Sequence, residues 1–431
     1  MALETKWLVS KARSVSCTMP GVWRAVAFAK GCAVIFHSPR GCTSVAYNMD
    51  ISNVYRALGA SERETMEAVP LVSSDLREKD SIFGGIDRLT DCIAFVMKTY
   101  HPKCIFIASS CIAGVIGDDI TMAAEDAEND YGIPVVAVDG GGFLGGEYHD
   151  GYFRTLNAIM DRFLKPSPKE EGSVLLLGDS GGPWGQYAKE VKRLLLPFGL
   201  TVKWQFPGYV PFEEWPHVTA ASLILMLGGQ GSTGPGMLAA AERFRKEYGI
   251  PCLGEVFPTG WENTCRFIRA VAAWTGKKEK GETLIREEEK KLEESVSFML
   301  PVTEGKKAVI GIGRSARHYD PSDTIRTLRR LHMDIKAIVL YDNLDDKDQT
   351  FFQEKAGALT KAPVITGMKA VEKEMESADI LLSTHEITNI PVKQLFIPMI
   401  ATVGAAGELA YMTGLYRLLC RYGKKGGMAY V

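Results

Sequence analysis

Three of the nine cysteines sit where a thiol can work. Cys17 lies in "SVSCTMPGVWRAVAF", where Thr18 and Pro20 suit the opening of a helix. Cys42 follows Pro-Arg-Gly in "FHSPRGCTSVAY", and Cys111 closes an apolar run in "CIFIASSCIAGVIGDDI". Helix starts and a neighbouring arginine stabilise a thiolate, the form that attacks an electrophile or binds a soft metal. Cys111 stands at a strand end, which suits such a thiol or an ordinary small buried residue. Cys92, Cys104 and Cys420 fall inside apolar patterns and read as core. Cys32, Cys252 and Cys265 read as packing residues too. No two cysteines form a C-x-x-C pair, so a metal centre has to gather ligands from distant segments.

The other chemistry-bearing residues give less. His37 precedes "SPRGC", His149 lies in "GGEYHDGY" and His385 in "LLSTHEITNI"; each stands alone and reads as a structural or surface histidine. No H-E-x-x-H, G-x-S-x-G or paired-carboxylate motif anchors a hydrolase. Three glycine turns follow apolar runs: "LLLGDSGGPWG", "LMLGGQGSTGPG" and "GIGRSA". The last fits the dinucleotide pattern G-x-G-x-x-A, with Asp342 placed as a ribose-binding acid would be. Tight βα turns need glycine with or without a ligand, so a plain Rossmann-like turn is preferred. The other two lack the Lys-Ser/Thr ending of a phosphate-binding loop. No bound nucleotide and no ATP hydrolysis are expected in this chain.

The elements that must position these residues follow one pattern. "CIFIAS", "PVVAVD", "SVLLLGD", "ASLILML", "KAVIGIG", "IKAIVLYD", "ADILLST" and "IPMIATV" are short apolar runs separated by helical patterns. Such alternation predicts α/β architecture with mostly parallel sheets covered on both faces. The runs fall into three Rossmann-like units, expected over residues 1–165, 172–300 and 305–431. A Pro- and charge-rich linker at 162–172 separates the first two, and the charged segment "GKKEKGETLIREEEKKLEESVS" reads as a solvated helix. A net charge of −2 gives no field to hold a nucleic-acid backbone. No apolar run reaches membrane-spanning length, and "MALETKWLVSKARSVSC" lacks the apolar region of a secretory signal. The expectation is a cytoplasmic chain with reduced thiols.

Taken together, "CTMPGVWRAVAFAKGCAVIFHSPRGC", "VSSDLREKDSIFGGIDRLTDCI", "YHPKCIFIASSCIAGVIGDDI" and "GGGFLGGEYHDGY" resemble the cluster-bearing component of the nitrogenase superfamily. The resemblance covers about residues 14–160. "GIPCLGEVFPTGWENTCRFIRAVAAWTG" and "IPMIATVGAAGELAYMTGLYRLL" look like that family's β-type subunits. It implies three Rossmann-like domains, clusters at domain and subunit interfaces, and an α-type partner in a heterodimer or heterotetramer. An iron–sulfur cluster is shared with that partner, and Cys17, Cys42 and Cys111 match the three β-side ligands. Arg40, Gly41, Gly145 and Gly146, with the backbone amides of their loops, are the expected cofactor-binding neighbours. Asp80 and Phe83 are expected to frame the pocket, and Asp118 and Asp119 to serve helix ends.

The departures shape the functional expectation. "GFLGGEY" has glycine where the dinitrogen-reducing β subunit carries a serine ligand. The α-type cysteine and histidine ligands to the catalytic cofactor have no match here, which leaves any further iron-based cofactor to the partner. The expected protein is a β-like subunit of a two-component, ATP-dependent nitrogenase-like reductase. A separate iron protein would hydrolyse ATP and dock transiently, and electrons would cross the shared cluster to a small-molecule substrate. Carbon–sulfur bond reduction, as in methylthio-alkane reductase, is the favoured branch, with dinitrogen and tetrapyrrole reduction beside it. The alternative is a scaffold on which a nitrogenase cofactor is assembled and handed on. A pyridine-nucleotide enzyme using "GIGRSA" is the third reading.

Overall fold

The computed structural model describes residues 17–48, 67–228, 234–313, 320–341, 346–366, 373–375, 377–387, 390–397, 402–423 and 428–429. Among these described residues three separate sheets carry the fold, and every named strand pairing is parallel. The first holds β1 (Cys32–His37), β2 (Leu71–Ser73), β3 (Cys104–Ser109) and β4 (Val135–Val138) in the order β2-β1-β3-β4. The second holds β5 (Glu170–Leu177), β6 (Thr201–Phe206) and β7 (Ala221–Met226), with β5 central. The third holds β8 (Lys307–Ile312), β9 (Asp334–Leu340), β10 (Val364–Thr366), β11 (Ile380–Ser383), β12 (Lys393–Phe396) and β13 (Met428–Ala429), in the order β10-β9-β8-β11-β12-β13. Strands buried on both faces need no polar alternation, and every residue of β1 and β3 is buried.

Helices fill the connections. The first sheet carries α1 (Thr18–Val26), α2 (residues 40–48), α3 (Asp80–Phe83), α4 (Ile86–Tyr100), α5 (Cys111–Ile116), α6 (Ile120–Tyr131) and α7 (Tyr148–Phe163). Then come α8 (Gln186–Leu195), α9 (Pro235–Tyr248), α10 (Gly260–Trp274) and the long charged α11 (Lys278–Thr303). The third sheet is served by α12 (Pro321–Arg330), α13 (Asp346–Gly357) and the final helix Gly404–Cys420. Local chemistry sets their ends. Asp119 caps α6 by accepting the N–H groups of Thr121 and Met122, and Pro235 and Pro321 open their helices where no donor is needed. Among the described residues no helix is long and apolar enough to cross a membrane.

The middle sheet joins the other two. Val174 and Leu176 of β5 share a core with Ile310, Leu340 and Leu382 of the third sheet. The alternate residues Leu175 and Leu177 share one with Val34 and Phe106 of the first. A strand's two faces thus bury against different neighbours, so side-chain alternation ties the three sheets together.

Several expectations shift. Residues 170–172 of the expected linker already belong to β5, and 162–163 finish α7. Of "IPMIATV", residues 398–401 lie outside the described residues; the described strand before them is β12. Asp342 and residues 314–316 of "GIGRSA" also lie outside them. Cys420 is exposed, not core, because the final helix ends on it and runs out into solvent.

Candidate functional site

β1 leads sideways to β2, whereas β3 leads the opposite way to β4, which leaves a crevice between the carboxyl ends of the two central strands. Open α/β sheets bind ligands at such reversals. His37 and Ser109 end those strands as register partners. Cys42 follows one and Cys111 the other, so the crevice is flanked by two of the three expected thiols.

Cys17 arrives from a third direction. It takes extended backbone just before α1 and bridges antiparallel to Glu147, which precedes α7. α1 and α7 then lie against each other. Their approach needs glycine: a Cβ on Gly21 would stand 1.9 Å from the Tyr148 carbonyl oxygen, and one on Gly151 2.0 Å from that of Thr18. The Thr18 hydroxyl is shared between the carbonyls of Gly140 and Gly142, at 3.0 and 3.2 Å.

That contact places the glycine loop. Ser109 Oγ accepts the N–H groups of Gly140 and Gly141, both at 3.2 Å, and donates to Asp139 at 2.6 Å. Arg154 of α7 donates to the Gly145 carbonyl at 2.7 Å and to that of Asp139 at 3.1 Å. Held on both sides, the loop presses Gly142 (φ +52°) against Cys111, where a Cβ would lie 2.5 Å from the Cys111 nitrogen. Cys111 therefore abuts the loop at Gly142, and Cys17 pairs with Glu147 at its far end.

Cys111 opens α5, whose cap is Ser110: its Oγ accepts from Ala113 N at 3.2 Å, and its own N–H donates to the His37 carbonyl at 3.2 Å. Cys42 lies in α2, and its N–H donates to the Pro39 carbonyl at 3.2 Å. The thiols feel one another. Burial pushes the Cys17 thiol up, the Met19 N–H offsets part of this, and charge on Cys111 adds to the rise. Burial also raises Cys42, and charges on Cys111 and Cys17 raise it further. All three are half-buried. Cys17 and Cys42, which resist ionising, are suited to a positive centre that removes the penalty as it displaces their protons.

Among the described residues no three His, Cys, Asp or Glu side chains are drawn together tightly enough for a single metal ion. Four sulfurs around one tetrahedral ion would sit about 3.8 Å apart at ordinary metal–sulfur distances. A polynuclear iron–sulfur cluster takes each thiolate on a different iron, so it calls for wider spacing.

The expected neighbours divide. Gly41 has no heavy atom within 4 Å of a notional Cβ, so nothing packs on it. Arg40 turns to solvent and pairs with Asp75 at 3.0 Å. Gly145 and Gly146 are required by packing: a Cβ would stand 1.6 Å from the Gly140 carbonyl oxygen and 2.3 Å from the Asp150 carboxylate, respectively. The Gly145 N–H donates to the Gly141 carbonyl, and those of Gly140 and Gly141 are spent on Ser109. Asp80 is buried and paired with Arg88 at 2.5 Å, while Phe83 is 85 % exposed. Thr18, expected as a helix opener, instead spends its hydroxyl on the glycine loop while Cys17 takes the cap position; Ser109 and Ser110 were given no role, although the pair of serines just before Cys111 was a visible capping signal.

Around the thiols the surface is apolar. Val45 and Tyr47 on α2, Ile82 and Phe83 on α3, Ile112 and Val115 on α5, and Phe143 and Leu144 on the glycine loop are all exposed. These large apolar side chains lie exposed on segments that carry or neighbour the thiols. By contrast, the glycines of the late "GIG" turn have an internal explanation. A Cβ on Gly313 would meet His385 and Tyr341 at 2.7 Å, and one on Gly311 would meet the Tyr341 hydroxyl at 2.0 Å.

The chain resembles known proteins along most of its length. It is 32% identical over 308 residues to the nitrogenase iron-molybdenum cofactor biosynthesis protein NifE of Clostridium pasteurianum, covering 70% of this chain and 62% of the relative. It is 28% identical over 254 residues to the nitrogenase molybdenum-iron protein alpha chain of the same organism, covering 57% and 46%. The matched stretch thus spans about half to three fifths of these relatives' own length. Among solved structures, nitrogenase Cp1 at pH 5 superposes with a TM-score of 0.68 at 19% identity, over 96% of this chain and 91% of that one, which is a likeness of fold. The model for the nitrogenase component 1 type oxidoreductases matches residues 17–413, from the first candidate thiol into the final helix. This chain belongs to the nitrogenase component 1 type oxidoreductase family.

Proposed function

We propose that this chain is one subunit of a scaffold on which an iron-based cofactor is assembled and then passed to an acceptor protein. The observation that carries the reading is the likeness to the cofactor biosynthesis protein NifE, at 32% identity over 70% of this chain. The site supports it. Cys17, Cys42 and Cys111 would hold an iron–sulfur cluster at the end of the first sheet, beneath an apolar rim fit for a second family member. When bound, that cluster supplies electron transfer. The chain's own residues fix the thiols, exclude water through the glycine loop and offer the apolar face. Three units over 1–165, 172–300 and 305–431, and a pair that doubles into a tetramer, remain part of this proposal.

The second reading is the ATP-dependent reductase served by a separate iron protein, with carbon–sulfur bond reduction as its favoured branch. Its support is the 28% identity to a nitrogenase alpha chain. That likeness also favours an α-like place in the pair over the β-like one the motifs suggest. The experiment is co-expression with the partner subunit and anaerobic loading with iron, sulfide and molybdate, followed by incubation with a cofactor-free acceptor protein. A scaffold transfers its metal once and stoichiometrically. Continuous consumption of ATP and reductant in the presence of an iron protein and substrate, with no metal transfer, would replace the scaffold by the reductase.

A further inference from the structure

Two of the three thiols hang on connections that leave neighbouring strands in opposite directions, so something has to set the distance between them. A buried pair lies at the root of both connections. His37, fully buried at the end of β1, holds Asp118 Oδ2 through Nε2 at 2.9 Å and Ser74 Oγ through Nδ1 at 2.9 Å. Asp118 follows α5, the helix that Cys111 opens. The His37 carbonyl also accepts the N–H of Ser110, directly before Cys111.

The hydrogen bonds run in one direction. Burial holds the His37 imidazole below its ordinary value, against the pull of Asp118 and Asp80, so the ring is neutral at neutral pH. A carboxylate only accepts, which puts the ring proton on Nε2 and leaves Nδ1 to accept from the Ser74 hydroxyl. Ser74 Oγ in turn accepts the Ser38 N–H at 3.2 Å, on the connection to Cys42. Asp118 also accepts the Gly85 N–H, at 3.0 and 3.1 Å, just before α4. Room for the pair exists because Gly85 has no side chain: a Cβ there would stand 2.8 Å from Asp118 Oδ2 and 3.2 Å from His37 Cε1.

We infer that His37 and Asp118 are positioning residues for the metal centre, locking the connection that carries Cys42 to the helix that carries Cys111. The inference rests on the reading of Cys17, Cys42 and Cys111 as cluster ligands. Neither residue touches the cluster; both act through the backbone that holds its thiols. Partners of this kind typically alter metal affinity by about 10–100-fold when removed.

The test uses the whole chain with its co-expressed partner, loaded anaerobically with iron and sulfide, in the variants Asp118→Ala, His37→Phe, Asp118→Asn and Cys111→Ala. The readouts are the rate of iron loss to a chelator, the g-values of the reduced cluster and the thermal midpoint. Asp118→Ala and His37→Phe are expected to lose iron about tenfold faster or more and to shift the g-values. Asp118→Asn keeps an acceptor oxygen for His37 and falls between Asp118→Ala and the parent. Should Asp118→Ala fail to fold, Ser74→Ala removes the other arm of the imidazole and is expected to shift the g-values in a folded protein. Parental iron retention and g-values in these variants, beside an iron-free Cys111→Ala, would overturn the positioning role and leave the cluster standing. Full iron in Cys111→Ala would instead remove the cluster reading itself, and the role with it.

Discussion

Arg24 and Asp179 form a two-pronged pair across the first two sheets: guanidinium Nε and Nη2 meet the two carboxylate oxygens at 2.5 and 2.8 Å. Arg24 lies on α1, the helix that Cys17 opens, and Asp179 lies in the glycine turn after β5. Tyr209 donates to the same carboxylate at 2.6 Å, and the guanidinium rests on the rings of Phe28 and Tyr209. The middle sheet thereby steadies the helix behind the first thiol.

Removing one partner leaves the other charge buried, so Asp179→Ala should cost about 3–5 kcal/mol in urea unfolding. Burial raises the Asp179 carboxyl, yet Arg24, Tyr209 and the Gly181 N–H together hold it below its ordinary value. A lowered carboxyl stabilises the fold above its ordinary range and stops doing so as pH falls through the lowered value. The gap between parent and variant should therefore close only in strong acid.

The thiols separate by role. Cys17→Ser, Cys42→Ala and Cys111→Ala should each strip iron from the loaded pair, read by metal quantification and colour. Cys104 is fully buried and faces Cys32 in register on β1, below the site. Cys104→Ala should keep its iron and cost on the order of 1 kcal/mol.

Metal loading should depend on pH in a definite direction. Cys17 and Cys42 ionise above the ordinary thiol value, chiefly through burial, so both are protonated near neutrality. Iron must displace those protons, so loading should release acid and weaken as pH falls. Without metal the sign reverses: the raised thiols favour the fold below their ordinary value, and that contribution fades as pH rises through the raised ones. Iron uptake in weakly buffered solution, followed with a pH indicator, checks this.

Two glycines beside the thiols should behave oppositely. Gly142→Ala forces a left-handed residue onto the Cys111 nitrogen and should reduce iron retention with the protein still folded. Gly41→Ala meets open space within α2 and should leave iron unchanged while gaining up to about 1 kcal/mol in thermal unfolding.

Asp323 should make the joint between the second and third sheets sensitive to pH. Its carboxylate crowds Gly260 at the head of α10, where a Cβ would lie 2.5 Å away. Burial, then the charges of Asp320 and Glu408, push it from 3.8 to about 7 against the pull of Arg326. A raised carboxyl stabilises at low pH and loses that contribution as pH climbs through about 7. Asp323→Asn cannot ionise, so its thermal midpoint should gain on the parent between pH 5 and pH 8.

Much of the fold was legible because a strand buried on both faces has to be apolar throughout. "CIFIAS" and "SVLLLGD" announced β3 and β5 for that reason. Not every such strand was recognised: β1 is buried throughout and was still passed over, whereas other strands passed over lack the signal. β2 is three half-buried residues, and β6 opens on Thr201, Val202 and Lys203, which are only partly covered. The candidate thiols stand out by place alone, just beyond strands or before a helix. Adjacency in sequence says nothing about direction, and the Arg40 side chain leaves for Asp75.

The sequence by itself determined the parallel α/β character, the three candidate thiols and the family resemblance, since each rests on residues close together in the chain. Only the tertiary structure decided that Cys17 and Cys111 flank one glycine loop, that His37 meets Asp118 and that Arg24 meets Asp179. Those partners stand far apart in sequence, and each contact exists only after the sheets have packed and buried it. Apolar pattern is written locally; the pairing of buried polar groups is a property of the whole fold.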